Sequence, residues 1–372
     1  MAINSKDRIR MLLSGQVPDR MGKADAPWPE ARARWYKEGV PAGVHVNDLL
    51  GMDLRINIKM PPSFRLEEKV IEENNEFQVI SDADGNVSKY WKNKSGVPMH
   101  LRYAIKTRAD WERLKDRLVP SDDRFAVGYY GNYWHEYTHG SLATVKAAYD
   151  AFKVKDETFV SVEMPDPYEY AMAKMGDENI LIAMAMEPDL LRDMFERLVK
   201  YLIAQGQILF SSGFKPDGVF VGGDIAYKNG LLMSPKMYRE LIFPYVKRMI
   251  DHFKGERGLR IIYHSDGNPT QALPMLYEAG IDCIQPMEVN AGMDVRKLAK
   301  EWGDKLAFMG NISTTVMSGP KDKLREEVMS RIEYCKKVRA RYIIHSDHSV
   351  PDTVPFENMR LVVELVDKYG YY

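Results

Sequence analysis

Arg260-Ile261-Ile262-Tyr263-His264-Ser265-Asp266-Gly267-Asn268-Pro269 decides how the rest of the chain is read. A short apolar run stops at His-Ser-Asp, Gly-Asn-Pro forces a turn, and residues 270–277 have helical character. Apolar runs bounded by turn signals and followed by helices mark βα units. A parallel strand covered on both faces keeps its polar groups for its end. The pattern recurs. Residues 218–221 run into Gly222-Gly223-Asp224, 281–286 into Met287-Glu288, 306–309 into Gly310-Asn311, and 342–344 into His345-Ser346-Asp347-His348. Five strand ends carrying His, Asp, Glu or Asn point to a ring of polar groups at one mouth of a barrel.

The totals agree with that picture. The chain has 372 residues, 45% hydrophobic and 28% charged, which describes an ordinary globular protein. That length suits one decorated (β/α)8 TIM barrel or two modest domains. A formal net charge of −1 gives no electrostatic case for nucleic acid or an anionic membrane as partner. No apolar run approaches the ~18 residues of a membrane span, and the first residues lack a signal-peptide core. Two cysteines, Cys283 and Cys335, are too few for a disulfide framework or a thiolate zinc cluster, which fits a cytoplasmic protein. The 22 methionines suit core packing better than a malleable lining.

Along the chain, residues 5–13 form an expected helix, a first barrel strand ends in Asp25, and 29–38 read as the next helix. Trp28 and Glu30 flank Pro29. Residues 54–110 differ in character: alternating runs around Asp84-Gly85 signal antiparallel hairpins. The expectation is a β decoration at 54–110, inserted after the first βα unit of a single 1–372 barrel domain. The aromatic stretch 129–135 could line a ligand pocket or a partner surface, but packing beneath a loop is the expected reading. From Thr158 the alternation is regular: a strand at 159–163 ends near Asp166 and Tyr168, and helices cover 167–175 and 187–210. Ser234-Pro235 opens a further helix, Ser as N-cap and Pro at the first position. The active site of such a barrel lies at the C-terminal strand mouth.

Several motifs carry a family resemblance. They are Asp224 to Gly230 with Ser234-Pro235, His264-Ser-Asp-Gly-Asn, Glu288 to Asp294, Gly310-Asn311-Ile312, and Ser346 to Pro351 with Pro355-Phe-Glu-Asn358. Together they resemble the uroporphyrinogen decarboxylase superfamily over about 158–372. That superfamily holds cofactor-free decarboxylases and methyltransferases that act on corrinoid proteins. Its decarboxylases carry an Arg-Gln-Ala-Gly-Arg motif that grips substrate carboxylates; here the region reads Met21-Gly-Lys-Ala-Asp-Ala-Pro-Trp28, without arginine. A polycarboxylate would lose its bidentate clamps. The thiol-directed methyltransferases hold zinc through His-x-Cys and a later Cys. The matching positions here are His264, Asp266 and His348, an O/N set that argues against soft thiol chemistry.

Each candidate has a plainer alternative. His264 can bind a metal or a substrate oxygen, or can simply bond neighbouring carbonyls. Asp266 can act in the site or cap the following turn. Asp224 follows two glycines that allow close approach of a ligand. Glu288 ends its strand in the same way, and Asp347 belongs to a group of which only part can face the pocket. Tyr227 and Tyr168 can donate to an oxyanion or pack. The resulting expectation assigns catalysis to His264, Asp224, Glu288, Tyr227 and Asp347. Substrate binding falls to Asp25, Trp28, Glu163, Tyr168, Asn311 and His345, and a candidate metal site, zinc foremost, to His264, Asp266 and His348.

The phosphate-loop, dinucleotide-loop and nucleophile-elbow patterns are missing. So is the Asp-x-His-x-x-Gly stretch of many corrinoid carriers, so a corrinoid would come on another chain. The reading is a methyltransferase that moves a methyl group from a small methylated donor, a methyl ether foremost, to a separate corrinoid protein. A cofactor-free decarboxylase of a non-porphyrin acid is the alternative, and a non-catalytic binding module the third. A homo-oligomer is left open.

Overall fold

The computed structural model describes residues 3–92, 96–132, 134–153 and 158–372. The chain begins its strands with β1 (Gly22–Lys23) and β2 (Leu54–Lys59). It then leaves through β3 (Lys69–Glu73), β4 (Phe77–Ser81), β5 (Val87–Trp91) and β6 (Met99–Arg102). It returns with β7 (Ala126–Tyr129), β8 (Phe159–Pro165), β9 (Gly218–Gly222) and a small hairpin, β10 (Ala226–Tyr227) with β11 (Gly230–Leu231). The last strands are β12 (Arg260–His264), β13 (Cys283–Gln285), β14 (Ala307–Ile312) and β15 (Tyr342–Ser346).

One sheet runs in the order β1-β15-β14-β13-β12-β9-β8-β2-β7. Its pairings are parallel except that of β2 with β7. With helices between successive parallel strands, this is a decorated (β/α)8 barrel. β7 lies on the free side of β2, in the seam towards β1. The lower rim closes by a backbone bond of 2.7 Å from the Asp53 N–H to the Lys23 carbonyl.

The helix Ser5–Leu13 plugs the lower end, because Ile9, Leu12 and Leu13 join the cluster formed by Leu54, Phe159 and Ile343. Gly22 favours that approach: a Cβ there would lie 2.9 Å from Ile9 Cδ1 and crowd that side chain. Aspartates just before three strands clasp the neighbouring strand. Asp53 Oδ2 accepts from Lys23 N at 2.9 Å, Asp217 Oδ2 from Val160 N at 3.1 Å, and Asp282 Oδ2 from Ile261 N at 2.8 Å. Each also donates its own N–H back across the same gap. Ser234 caps the helix that follows β11, its hydroxyl accepting from Met237 N at 3.1 Å. Pro244 lacks an N–H, and the helix widens to a π turn over Tyr238–Ile242 just before it.

The decoration is shorter than the sequence suggests. The antiparallel sheet contains β3 to β6 only, in that order, whereas residues 54–59 belong to the barrel as β2. The polar alternation of Arg55, Asn57 and Lys59 imitates a half-solvated strand, but these side chains are consumed internally. Asn57 bonds Ser161 and Glu163, Lys59 pairs with Glu163 at 3.1 Å, and Arg55 pairs with Asp48 at 2.8 Å.

Candidate active site

The upper ends of the strands surround a cavity of about 840 Å³. His264, at the end of β12, is its hub. Nδ1 lies 2.5 Å from Gln285 Oε1 on β13, an acceptor, so Nδ1 carries a proton and Nε2 turns away from the sheet. Nε2 is 3.3 Å from Asp224 Oδ1, just beyond β9. The same Asp224 oxygen accepts from Asp266 N at 2.9 Å. Asp266 Oδ2 lies 3.3 Å from His348 Nδ1, whereas Asp266 Oδ1 is buried without a hydrogen-bond partner.

Charge is concentrated here. Burial works against a charged His264, but the Asp224 carboxylate, with Asp266 and Glu169 nearby, overrides it and raises the imidazole to about 10. Asp224 is lowered in return, since His264 outweighs the cost of its burial. Asp266 is raised by burial, and Asp224 adds to the rise.

Asp224, His264 and Asp266 each offer a ligand atom, and these atoms lie within 4.8 Å of one another. The donor set is hard to borderline, oxygen and imidazole, as zinc accepts. The orphaned Asp266 oxygen and the anchored His264 tautomer both fit a bound cation. His348 pairs with Asp266 but is outside this cluster, which contains Asp224 beside the expected His264 and Asp266.

Of the other expected residues, Trp28, Glu163, His345 and His348 line the cavity. Glu163 is held by Asn57 and Lys59. His345 Nδ1 lies 2.6 Å from Ser346 O, with Nε2 3.2 Å from the Tyr130 hydroxyl that β7 brings across the seam. Asp25 is buried behind them, accepting from Ser346 Oγ at 2.6 Å and Ala26 N at 2.9 Å. From the aromatic stretch, Tyr130, Gly131 and Asn132 line the cavity; Tyr133 is outside the described residues.

Five further expected site residues lie outside the cavity lining. Asn311 is fully buried, its amide accepting from Val295 N and donating to the Met287 and Met293 carbonyls. Asp347 accepts from Val289 N at 3.1 Å and Thr314 N at 2.8 Å, tying three strand ends together. Glu288 accepts from Gly267 N at 2.8 Å and braces the loop after His264. Tyr168 is fully buried and does not line the cavity. Tyr227 stands 49% exposed on the β10–β11 hairpin, outside the lining, with its backbone carbonyl accepting from Asn268 N.

Glu169 was not singled out from the sequence, yet it lines the cavity and its Oε2 is buried without a partner. Burial first, then Asp224, pushes its carboxyl up to about 8. Gln285, which orients His264, escaped notice as well. The missed signal for Glu169 is Asp166-Pro167-Tyr168-Glu169, a helix start that puts an acid directly over a strand end.

A family model described as "Uroporphyrinogen decarboxylase (URO-D)" matches residues 138–369. A uroporphyrinogen decarboxylase of Chlorobium phaeobacteroides is 24% identical over 206 residues, 54% of this chain and 56% of that relative. One of Pelodictyon phaeoclathratiforme is 28% identical over 146 residues, 36% of this chain and 38% of that relative. The chain thus spans about half the length, or less, of these curated relatives. A solved methyltransferase from Methanosarcina mazei superposes with TM-score 0.65 at 15% identity over 99% of both chains, a likeness of fold.

Proposed function

This chain belongs to the uroporphyrinogen decarboxylase family, and on that premise we propose that it is a methyltransferase. It would take a methyl group from a small methyl ether and pass it to reduced cobalt on a separate corrinoid protein. The observation that carries the reading is the cavity lining: an acid–imidazole cluster at the strand mouth and, among the described residues, no arginine. The lining's lysine, Lys59, is already paired with Glu163, so neither a guanidinium nor a free ammonium is left there to clamp a polycarboxylate.

The chemistry asks for help at the leaving oxygen, because an alkoxide or phenoxide departs poorly. His264, held by Gln285 on one nitrogen and facing Asp224 with the other, holds a proton at Nε2 that it can give to that oxygen. In place of that proton, a divalent cation bound by Asp224, His264 Nε2 and Asp266 would supply Lewis-acid polarisation of the same atom. Trp28, Tyr130 and Phe220 give the wall against which an apolar methyl donor can lie.

The test is direct. Mixed with a reduced corrinoid protein and a methoxylated aromatic compound, the protein should convert Co(I) to methyl-Co(III) and release demethylated product in equal amount. Carbon dioxide from a carboxylic acid with this protein alone, and no cobalt methylation across a panel of ethers, would replace the reading with a decarboxylase.

A further inference from the structure

Glu169 opens the helix Pro167–Met175 at its third position, with Asp166 as N-cap. In that arrangement the acid ordinarily folds back to the N–H of the cap residue. Here half of the exchange is made: Asp166 Oδ1 accepts from Glu169 N at 2.8 Å. The other half is blocked, because Asp166 N already donates to the Gly222 carbonyl at 2.6 Å. The Glu169 carboxyl is thereby released from its local duty. It turns to the cavity, where Oε2 is buried and unpartnered. Gly222 makes the room: a Cβ there would stand 2.5 Å from that oxygen.

The surroundings decide what the group can offer. Its Oε2 faces the cavity from a buried position, with no cation or donor among the described residues bonded to it. A buried carboxyl so placed is held neutral, so it presents an O–H. A buried polar group left unpaired costs free energy, which a ligand with the matching group recovers. Ether oxygen accepts such a bond well; thioether sulfur accepts it weakly.

We propose that Glu169 is a specificity-determining residue that donates a hydrogen bond to the oxygen of the methyl donor and so selects methyl ethers over methyl thioethers. The proposal rests on the methyltransferase reading above and adds the group that reads the donor atom.

The experiment compares cobalt methylation from methoxybenzene and from (methylthio)benzene by wild type, Glu169→Gln and Glu169→Leu. Thermal unfolding confirms that all three fold. Wild type should favour the ether, and Glu169→Gln, whose amide still donates, should keep most of that preference. Glu169→Leu should lower the ether-to-thioether ratio of kcat/KM by about 10-fold or more, through the ether alone. An unchanged ratio in Glu169→Leu overturns the proposal while leaving the methyltransferase reading in place. If wild type methylates no cobalt from these compounds or from the panel of ethers, that reading fails on its own. Infrared spectroscopy then tests Glu169 separately. A protonated-carboxyl band that is lost in Glu169→Gln and shifts when methoxybenzene binds supports the proposal. A missing or unresponsive band refutes it.

Discussion

The two ends of the barrel spend their polar groups differently. At the lower rim Asp53 is fully buried and takes five hydrogen bonds, from Ser5, Arg8, Arg20 twice and the Lys23 N–H. Arg8 in turn grips Asp19 with two bonds of 2.8 Å. At the mouth, Asp266 and Glu169 each keep a buried oxygen without a partner, and His264 is ringed by acids. Saturated polar groups hold strands together; unsaturated ones remain available to a ligand. Substitutions should therefore harm stability at one end and chemistry at the other.

The largest effect is expected at the lower rim. Asp53→Ala leaves buried Arg20 without its carboxylate partner and Arg8 with Asp19 alone, and removing one partner of a buried pair costs about 3–5 kcal/mol. Chemical denaturation should register that loss, with the Michaelis constant of surviving folded protein little changed. A cost below about 1 kcal/mol would show that the network is weak and the contrast false.

His264→Ala reverses the pattern. Methyl transfer to cobalt should slow by roughly 10²-fold, about 2.7 kcal/mol of transition-state stabilisation, while the unfolding midpoint stays close to wild type. Elemental analysis of protein purified without chelator sharpens this result. A transition metal bound to wild type and lost in His264→Ala makes the cluster a metal centre; activity that persists in chelator leaves its side chains to assist alone.

The pH dependence of stability separates the ends by sign. Burial lifts Asp166 to about 6, above its ordinary 3.8, even though Tyr263 Oη donates to it at 2.6 Å. Folding then takes up a proton, so this group adds stability as the pH falls from about 7 to about 5, levelling off near 4. Asp19 runs the other way. Its burial is outweighed by bonds from Arg8 and the Arg20 N–H, its pKa is lowered, and its contribution fades as acid is added. Asp166→Asn keeps an oxygen for the cap and should abolish the gain between those two pH values in urea titrations. Equal slopes in wild type and variant would refute the assignment.

Much of this division could be read in the sequence, and the rest was hidden for definite reasons. The βα register was legible because buried parallel strands confine polar residues to their ends, as 260–266 does. The same rule led to His264, Asp266 and Asp224, which the fold brings within reach of one another. It also led to Asn311 and Asp347, which sit at strand ends but outside the cavity lining. Their partners are backbone groups of loops far along the chain, and spacing in sequence carries no trace of them. Glu169 was masked by its own context, since Asp-x-x-Glu before a helix reads as a self-satisfied cap. That Gly222 takes the cap's N–H is visible only once β8 and β9 lie side by side.

The smallest effect is expected in a third region, the antiparallel sheet of β3 to β6. Its first strand, Lys69–Glu73, is exposed at each residue. Glu67, Glu68 and Glu72 all stand in solvent, Glu67 paired only with the equally exposed Lys69 among the described ion pairs. None of the three lines the cavity, although Val97, between β5 and β6, does. Solvated carboxylates of this kind have ordinary partners in water, and surface ion pairs contribute about 0–1 kcal/mol. Replacing all three by alanine should leave the rate of methyl transfer within a few-fold of wild type. The measurement is turnover at saturating methyl donor with the corrinoid protein held constant. A loss greater than about 100-fold, or 2.7 kcal/mol, would place a catalytic acid on the decoration and dissolve the distinction between scaffold and mouth.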